Sequence, residues 1–193
     1  MNAPTTVWTI GHSTRTLDAL LEVLRAHRIE VLVDVRRFPG SRRLPQFGEQ
    51  SLREALADEG IGYEWIEALG GRRRPVPDSP NDAWRNMAFR GYADHMASQA
   101  FIEGFARLWE IAAGRRTCIM CAEVLWWRCH RSLICDALKV RGVEVLHIQD
   151  QKEATPHPFT SAARLEQGRL SYRAGEGRAA NGRGQASQLR LDL

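Results

Sequence analysis

Residues 117–148, TCIMCAEVLWWRCHRSLICDALKVRGVEVLHI, decide the fold. Thr117 to Cys121 is an apolar run of strand length. Cys129 to Arg141 places Leu133, Ile134 and Leu138 at helical spacing, and Gly142 stands where a left-handed residue would end the helix. Val143 to Ile148 returns to a strand pattern. A strand, a helix and a second strand in this order make a right-handed crossover between parallel strands.

The same alternation extends toward the N-terminus. Val7 to Ile10 reads as a strand ending at Gly11-His12-Ser13. Leu17, Leu20, Leu21 and Leu24 form one helix face, with Thr16 as its N-cap. Val31 to Val35 is a strand apolar on both sides, as interior parallel strands are. Ser51 to Glu59 is a helix closed by Gly60, and Tyr63 to Ile66 is a third strand. The pattern predicts one long helix from Tyr92 to Ala113, with Phe101, Phe105, Leu108 and Trp109 on its buried side. The expected fold is a three-layer α/β domain of Rossmann-like type, with a mostly parallel sheet, over residues 1–160.

Two segments break the rhythm. Residues 68–91 contain three prolines and little periodicity, which suggests a lid or binding loop. Residues 161–193 hold six Arg against three acids and read as an Arg/Gly-rich flexible tail.

Composition narrows the function classes. A chain of 193 residues with 44% hydrophobic and 26% charged residues suits one globular domain and excludes wholesale disorder. It has no apolar run of the roughly 18–20 residues needed to span a membrane. Its opening residues lack the pattern of a secretory signal, so the expected location is cytoplasmic. Of the net charge of +4, the tail supplies +3, so bulk charge does not by itself make the body a nucleic-acid binder. Four cysteines without an export signal are expected to be reduced thiols.

Chemistry is expected at the carboxyl ends of the strands, where ligands bind open parallel sheets. The first strand delivers His12 and Ser13. The second delivers Asp34, Arg36 and Arg37, followed by Pro39 and Ser41. The fourth delivers Cys121 and Glu123, and the next helix opens on Cys129, His130 and Arg131. A thiol at a helix N-terminus beside Arg128 and Arg131 would be acidified, making Cys129 a candidate nucleophile. His130 would be its acid–base partner, and Glu123 would orient the histidine or act as the base. Singly, these residues also suit a buried small side chain, a capping histidine and a surface arginine.

Other readings compete. Cys121, Cys129, His130 and His12 offer ligand types that suit zinc, although their spacing matches no finger or ribbon. Cys118 and Cys121 point to opposite faces of one strand and cannot share an ion. Cys118 and Cys135 are expected to be core residues. Cys121 and Cys129 flank a strand–loop–helix corner that would suit redox exchange if their sulfurs meet. Arg36, Arg37, Arg42, Arg43 and the run Arg72 to Arg74 suit an anionic ligand, and Trp126 and Trp127 could stack on a base. No Gly-rich dinucleotide fingerprint or P-loop is present, and no cofactor is predicted apart from zinc as the ion these donors suit.

The blocks TIGHS (9–13), DVRRFPGS (34–41), LGG (69–71), RGYADHM (90–96), CAEVLWWRCHR (121–131) and VLHI (145–148) resemble the bacterial family called domain of unknown function 488. The resemblance spans about residues 7–150. It implies the α/β fold and a site built from these blocks, with both Cys121 and Cys129 functional, and it supplies no established reaction. It adds Tyr92 to the candidates, while His95 stands where the family pattern has an aromatic residue.

The last six residues have a separate likeness. Gln188, Leu189, Leu191 and Leu193 follow the pattern Q-L-x-L-x-L, similar to the peptide by which bacterial proteins dock on the DNA polymerase sliding clamp. The leading expectation is a cytoplasmic Cys-dependent transferase or hydrolase acting on a phosphate-bearing ligand, a nucleotide or nucleic acid. Cys129, His130, Glu123 and Cys121 are its expected catalytic residues. His12, Ser13, Asp34, Arg36, Arg37, Ser41, Tyr92 and Arg131 are expected to bind substrate. Two alternatives stand beside it: a non-enzymatic nucleic-acid-associated module of DNA repair recruited by the tail, and a metal-binding or redox-sensing domain.

Overall fold

In a computed structural model, which describes residues 3–40 and 43–175, the apolar runs become the centre of one sheet. Strands β1 (Thr6–Gly11), β2 (Val31–Asp34), β3 (Gly62–Trp65), β4 (Thr117–Cys121), β5 (Glu144–Ile148) and β6 (Ala154–Pro156) lie in the order β3-β2-β4-β1-β5-β6. The first five are parallel, and β6 closes one edge antiparallel to β5. β2 and β4 are buried at every residue, which accounts for their unbroken apolar character.

Helices α1 (Leu17–Ala26) and α2 (Glu49–Asp58) cover one face, burying Leu20, Leu24, Leu52 and Leu56 against Ile10, Leu32 and Met120. The Thr16 hydroxyl caps α1 by accepting the Ala19 N–H, as its sequence predicts. Helices α3 (Met87–His95), α4 (Gln99–Gly114) and α5 (Arg131–Lys139) cover the other face around Val33, Ile119, Phe105 and Leu133. The protein therefore adopts the expected three-layer α/β fold. Cys118 packs in the first core and Cys121 in the second, so the two do point to opposite faces.

The single helix expected from 92 to 113 is two helices. The Ser98 hydroxyl accepts the Phe101 N–H at 3.2 Å and starts α4 anew, while the Ser98 N–H bonds the His95 carbonyl. The helix expected from Cys129 begins at Arg131. Residues Trp126–Arg128 form a 3-10 turn, and Cys129 after it is extended, with φ −122° and ψ 142°. The proline-rich stretch is fastened by Asp94 of α3, which accepts bonds from the Val76 N–H, the Ser79 hydroxyl and the Asn81 amide.

The chain remains packed past residue 160. Strands β7 (Arg164–Glu166) and β8 (Arg169–Ser171) form a hairpin, and Ala162 and Tyr172 join the core on the α3–α5 side. The Arg/Gly-rich composition hid this, because the anchoring residues are few and set among polar ones. Ser41, Arg42 and the stretch 176–193 with its Gln188-to-Leu193 peptide lie outside the described residues. Among the described residues, no helix is long and apolar enough to cross a membrane.

Candidate functional site

Register brings the site together. Gly11 pairs with Cys121 and Asp34 with Met120, so β1, β4 and β2 end side by side. Beyond these ends the backbones stay knit. The His12 N–H donates to the Cys121 carbonyl at 3.0 Å, Ser13 to Ala122 at 2.9 Å and Val35 to Met120 at 3.0 Å. Gly11 permits this, since a Cβ there would lie 2.0 Å from the Glu123 carbonyl oxygen.

Cys129 is at the centre, 4% exposed. The Arg131 Nε donates to its Sγ at 3.4 Å, and the His130 Nδ1 stands 3.7 Å away. The Cys121 sulfur lies within 4.8 Å of the same atom. Burial alone would push the Cys129 thiol up. The neighbouring Cys121 thiol, the His130 imidazole and the Arg131 guanidinium outweigh it and hold Cys129 well below the ordinary thiol range. Cys121 moves the other way, well above that range, because of the neighbouring Cys129 and its own burial. Cys118 and Cys135 are fully buried core thiols, raised by burial.

The tautomer of His130 follows from its partners. Its Nε2 faces the Val35 carbonyl at 2.9 Å, which can only accept, so Nε2 carries a hydrogen and Nδ1 is left for the sulfur. Tyr92 packs beneath, with ring centroids 5.0 Å apart, and gives its hydroxyl to the Leu69 carbonyl at 2.7 Å. Gly71 passes over the imidazole so closely that a Cβ would lie 2.7 Å from Nδ1.

Above the sulfur opens a cavity of about 650 Å³, within the roughly 300–1,000 Å³ range of small-molecule sites. Arg36, Arg37, Arg72 and Arg128 line it, against the single acid Glu123. Ser13, Phe38 and the start of α3 at Asn86, Ala88 and Phe89 complete the wall. Arg36 is anchored by Asp34, which is fully buried and also accepts the Tyr63 hydroxyl at 2.8 Å. His12 packs against Phe47 with the rings tilted by 31° and takes an Arg36 N–H on Nε2 at 3.3 Å. Its burial, then the Arg36 charge, lower its pKa to about 4.

The expected residues thus divide. Cys121, Cys129, His130, Ser13, Arg36, Arg37 and Glu123 face the cavity. His12, Asp34, Tyr92 and Arg131 lie beneath it, holding the residues that do. Arg131 is 1% exposed, and the group its Nε–H meets is the protein's own Cys129 sulfur. The Glu123 carboxylate accepts the Leu125 N–H, and Val35, not Glu123, orients the imidazole. Trp126 is not free to stack on a base, because it lies flat on His147 with centroids 4.4 Å apart. Residue types alone did not single out Thr9, the Val35 carbonyl or Gly71. Thr9 and Gly71 did lie within the blocks TIGHS and LGG.

Among the described residues, two groups have donor atoms close enough to share a metal ion, each within 4.8 Å: Cys121, Cys129 and His130, and separately Cys135, His147 and His157. His12 belongs to neither. In the second group the inward ring nitrogens are bonded to each other at 2.9 Å.

The family model described as domain of unknown function DUF488 matches residues 16–138. Among curated proteins and solved structures, none matches the chain.

Proposed function

The chain belongs to the family described as domain of unknown function DUF488, and from the site it carries we propose a cysteine-dependent transferase or hydrolase acting on a phosphate-bearing ligand. The observation that carries this reading is the buried Cys129 sulfur, contacted by Arg131, His130 and Cys121, at the floor of a cavity lined by four arginines. A structural thiol has no use for a guanidinium, an imidazole and a second thiol converging on it. Guanidinium groups around the opening suit phosphate oxygens, which they bind through paired N–H donors.

In this reading the Cys129 Sγ attacks the electrophilic centre of the ligand and forms a bond to it. The bond to the leaving group breaks with its electron pair, and the leaving group takes the proton of the Cys121 Sγ. A second acceptor, water in a hydrolase, then displaces the sulfur as its proton passes to the His130 Nδ1 or back to the Cys121 sulfur. Arg37, Arg72 and Arg128 hold the anion, while Arg36 is kept in place by Asp34.

The test is protection. The rate at which iodoacetamide labels Cys129 is measured with nucleoside monophosphate, with inorganic phosphate and with chloride at equal ionic strength. Slowing by the phosphates alone, weakened by Arg37→Ala and Arg128→Ala, supports the assignment. Equal rates in all three would overturn it.

A second reading is favoured by the contact between Cys121 and Cys129, namely a reversible disulfide between them. It predicts that a small-molecule disulfide oxidises the pair and leaves Cys118 and Cys135 reduced. A zinc site would appear as stoichiometric metal in the purified protein and protection of both thiols that a chelator lifts.

A further inference from the structure

We propose that Thr9 is a positioning residue of this site, holding the Arg131 guanidinium against the Cys129 sulfur from the end of a buried hydrogen-bond chain. The inference rests on the thiolate reading of Cys129 given above.

Thr9 and Arg131 are 0% and 1% exposed. The Arg131 Nη1 donates to the Thr9 Oγ1 at 2.6 Å, and its Nη2 donates to the Glu123 carbonyl at 2.6 Å. With Nε on the sulfur, all three nitrogens of the guanidinium are fixed, and among the described residues Thr9 is the one side chain besides Cys129 that fixes it.

Thr9 is itself held. Its Oγ1 lies 3.3 Å from the His147 Nδ1, the His147 Nε2 lies 2.9 Å from the His157 Nδ1, and the His157 Nε2 lies 3.0 Å from the Asp136 Oδ1. Asp136 also accepts the Thr160 N–H, the Thr160 hydroxyl and the Tyr172 hydroxyl. Its carboxylate only accepts, so the His157 Nε2 must carry a hydrogen. The direction then propagates: the His147 Nε2–H donates to the His157 Nδ1, and the Thr9 O–H donates to the His147 Nδ1. The Thr9 lone pairs are left for Arg131. The opposite direction would leave the Thr9 hydroxyl hydrogen without an acceptor.

Five side chains on four stretches of chain are thus committed to one oxygen. Burying so many polar groups is costly unless every one is paired, and here each is. The family match at residues 16–138 includes Arg131 and Asp136, whereas Thr9, His147, His157 and Tyr172 lie outside it. The segments flanking the matched stretch therefore support the site.

The test is the pH profile of Cys129 labelling in Thr9→Val and Thr9→Ser, read by peptide mapping. Thr9→Val keeps the shape and removes the hydroxyl, and its labelling midpoint should rise by about one pH unit. Thr9→Ser should return it to the wild-type value, which a merely structural loss would not do. A wild-type midpoint in Thr9→Val overturns the proposal and leaves the thiolate reading intact. An ordinary thiol midpoint in the wild type overturns the thiolate reading and the proposal with it. Should Thr9→Val fail to fold, the wild type supplies the decision through nitrogen-15 spectra of its histidines. His147 and His157 both as Nε2–H tautomers agree with the chain, and an Nδ1–H form of His147 contradicts it.

Discussion

At the scale of single residues, the chemistry rests on a few contacts that sequence spacing could suggest but not place. Arg131 is expected from the sequence to clamp an external anion, and instead lies buried with its Nε donating to the Cys129 sulfur. Removing it leaves a buried sulfur, a threonine hydroxyl and two carbonyls without their partner. Arg131→Met should therefore cost on the order of 3–5 kcal/mol, the usual loss when one member of a buried charge pair is deleted. Chemical denaturation would read this, and a loss under 1 kcal/mol would contradict the assigned role. Gly71→Ala is the complementary change, since its methyl group would intrude on the His130 Nδ1. It should slow Cys129 labelling severalfold while native secondary structure persists by circular dichroism. An unchanged rate would mean that the imidazole does not serve the sulfur. The core placement of Cys118 and Cys135 is legible in the sequence, because each sits in an apolar run at a position facing a core. The choice between Val35 and Glu123 as the partner of His130 was not, because a backbone carbonyl leaves no mark on residue type.

At the scale of elements, the strands were legible because unbroken runs such as Val31 to Val35 suit only a strand buried on both faces. The helix boundaries were less so. His95-Met96-Ala97-Ser98 has no proline or glycine to mark a stop, and only the Ser98 side chain, competing for the Phe101 N–H, reveals the restart of α4. Ser98→Ala should cost about 1 kcal/mol, the usual value of an N-cap, with little effect on Cys129 labelling. A large change in labelling would mean that α4 sets the site geometry directly. The hairpin β7–β8 was missed for a different reason. Its hold on the body is made by Tyr172 and Ala162, two residues in a stretch dominated by arginine and glycine. Tyr172→Phe removes one bond to the buried Asp136, and roughly 1–3 kcal/mol of stability should go with it. Thermal unfolding would show the loss.

At the scale of the whole molecule, the parallel sheet gathers its polar residues at one edge, and that edge was readable before any coordinates. The buried histidines add a dependence on acid. Burial, then the Arg36 charge, hold His12 at about 4, while burial, His157 and Arg131 hold His147 at about 3. The unfolded chain takes up these protons near pH 6.5, ahead of the folded one, so protonation favours unfolding. The histidine contribution to stability should be flat above pH 6.5 and decline as the pH falls toward 4, by up to about 1.4 kcal/mol per pH unit for each histidine. Urea midpoints measured across this range would check it, and stability that rises on acidification would contradict the buried neutral assignment.

The central claim is that Cys129 is an activated thiolate at the floor of an anion-binding cavity. The most direct test is the rate of iodoacetamide labelling of each cysteine against pH, resolved by peptide mapping on the full chain. Cys129 should label with a midpoint well below the roughly 8.5 of a free thiol, with Cys121, Cys118 and Cys135 far slower at neutral pH. A Cys129 that labels no faster than Cys118, or with the midpoint of a free thiol, would contradict the account.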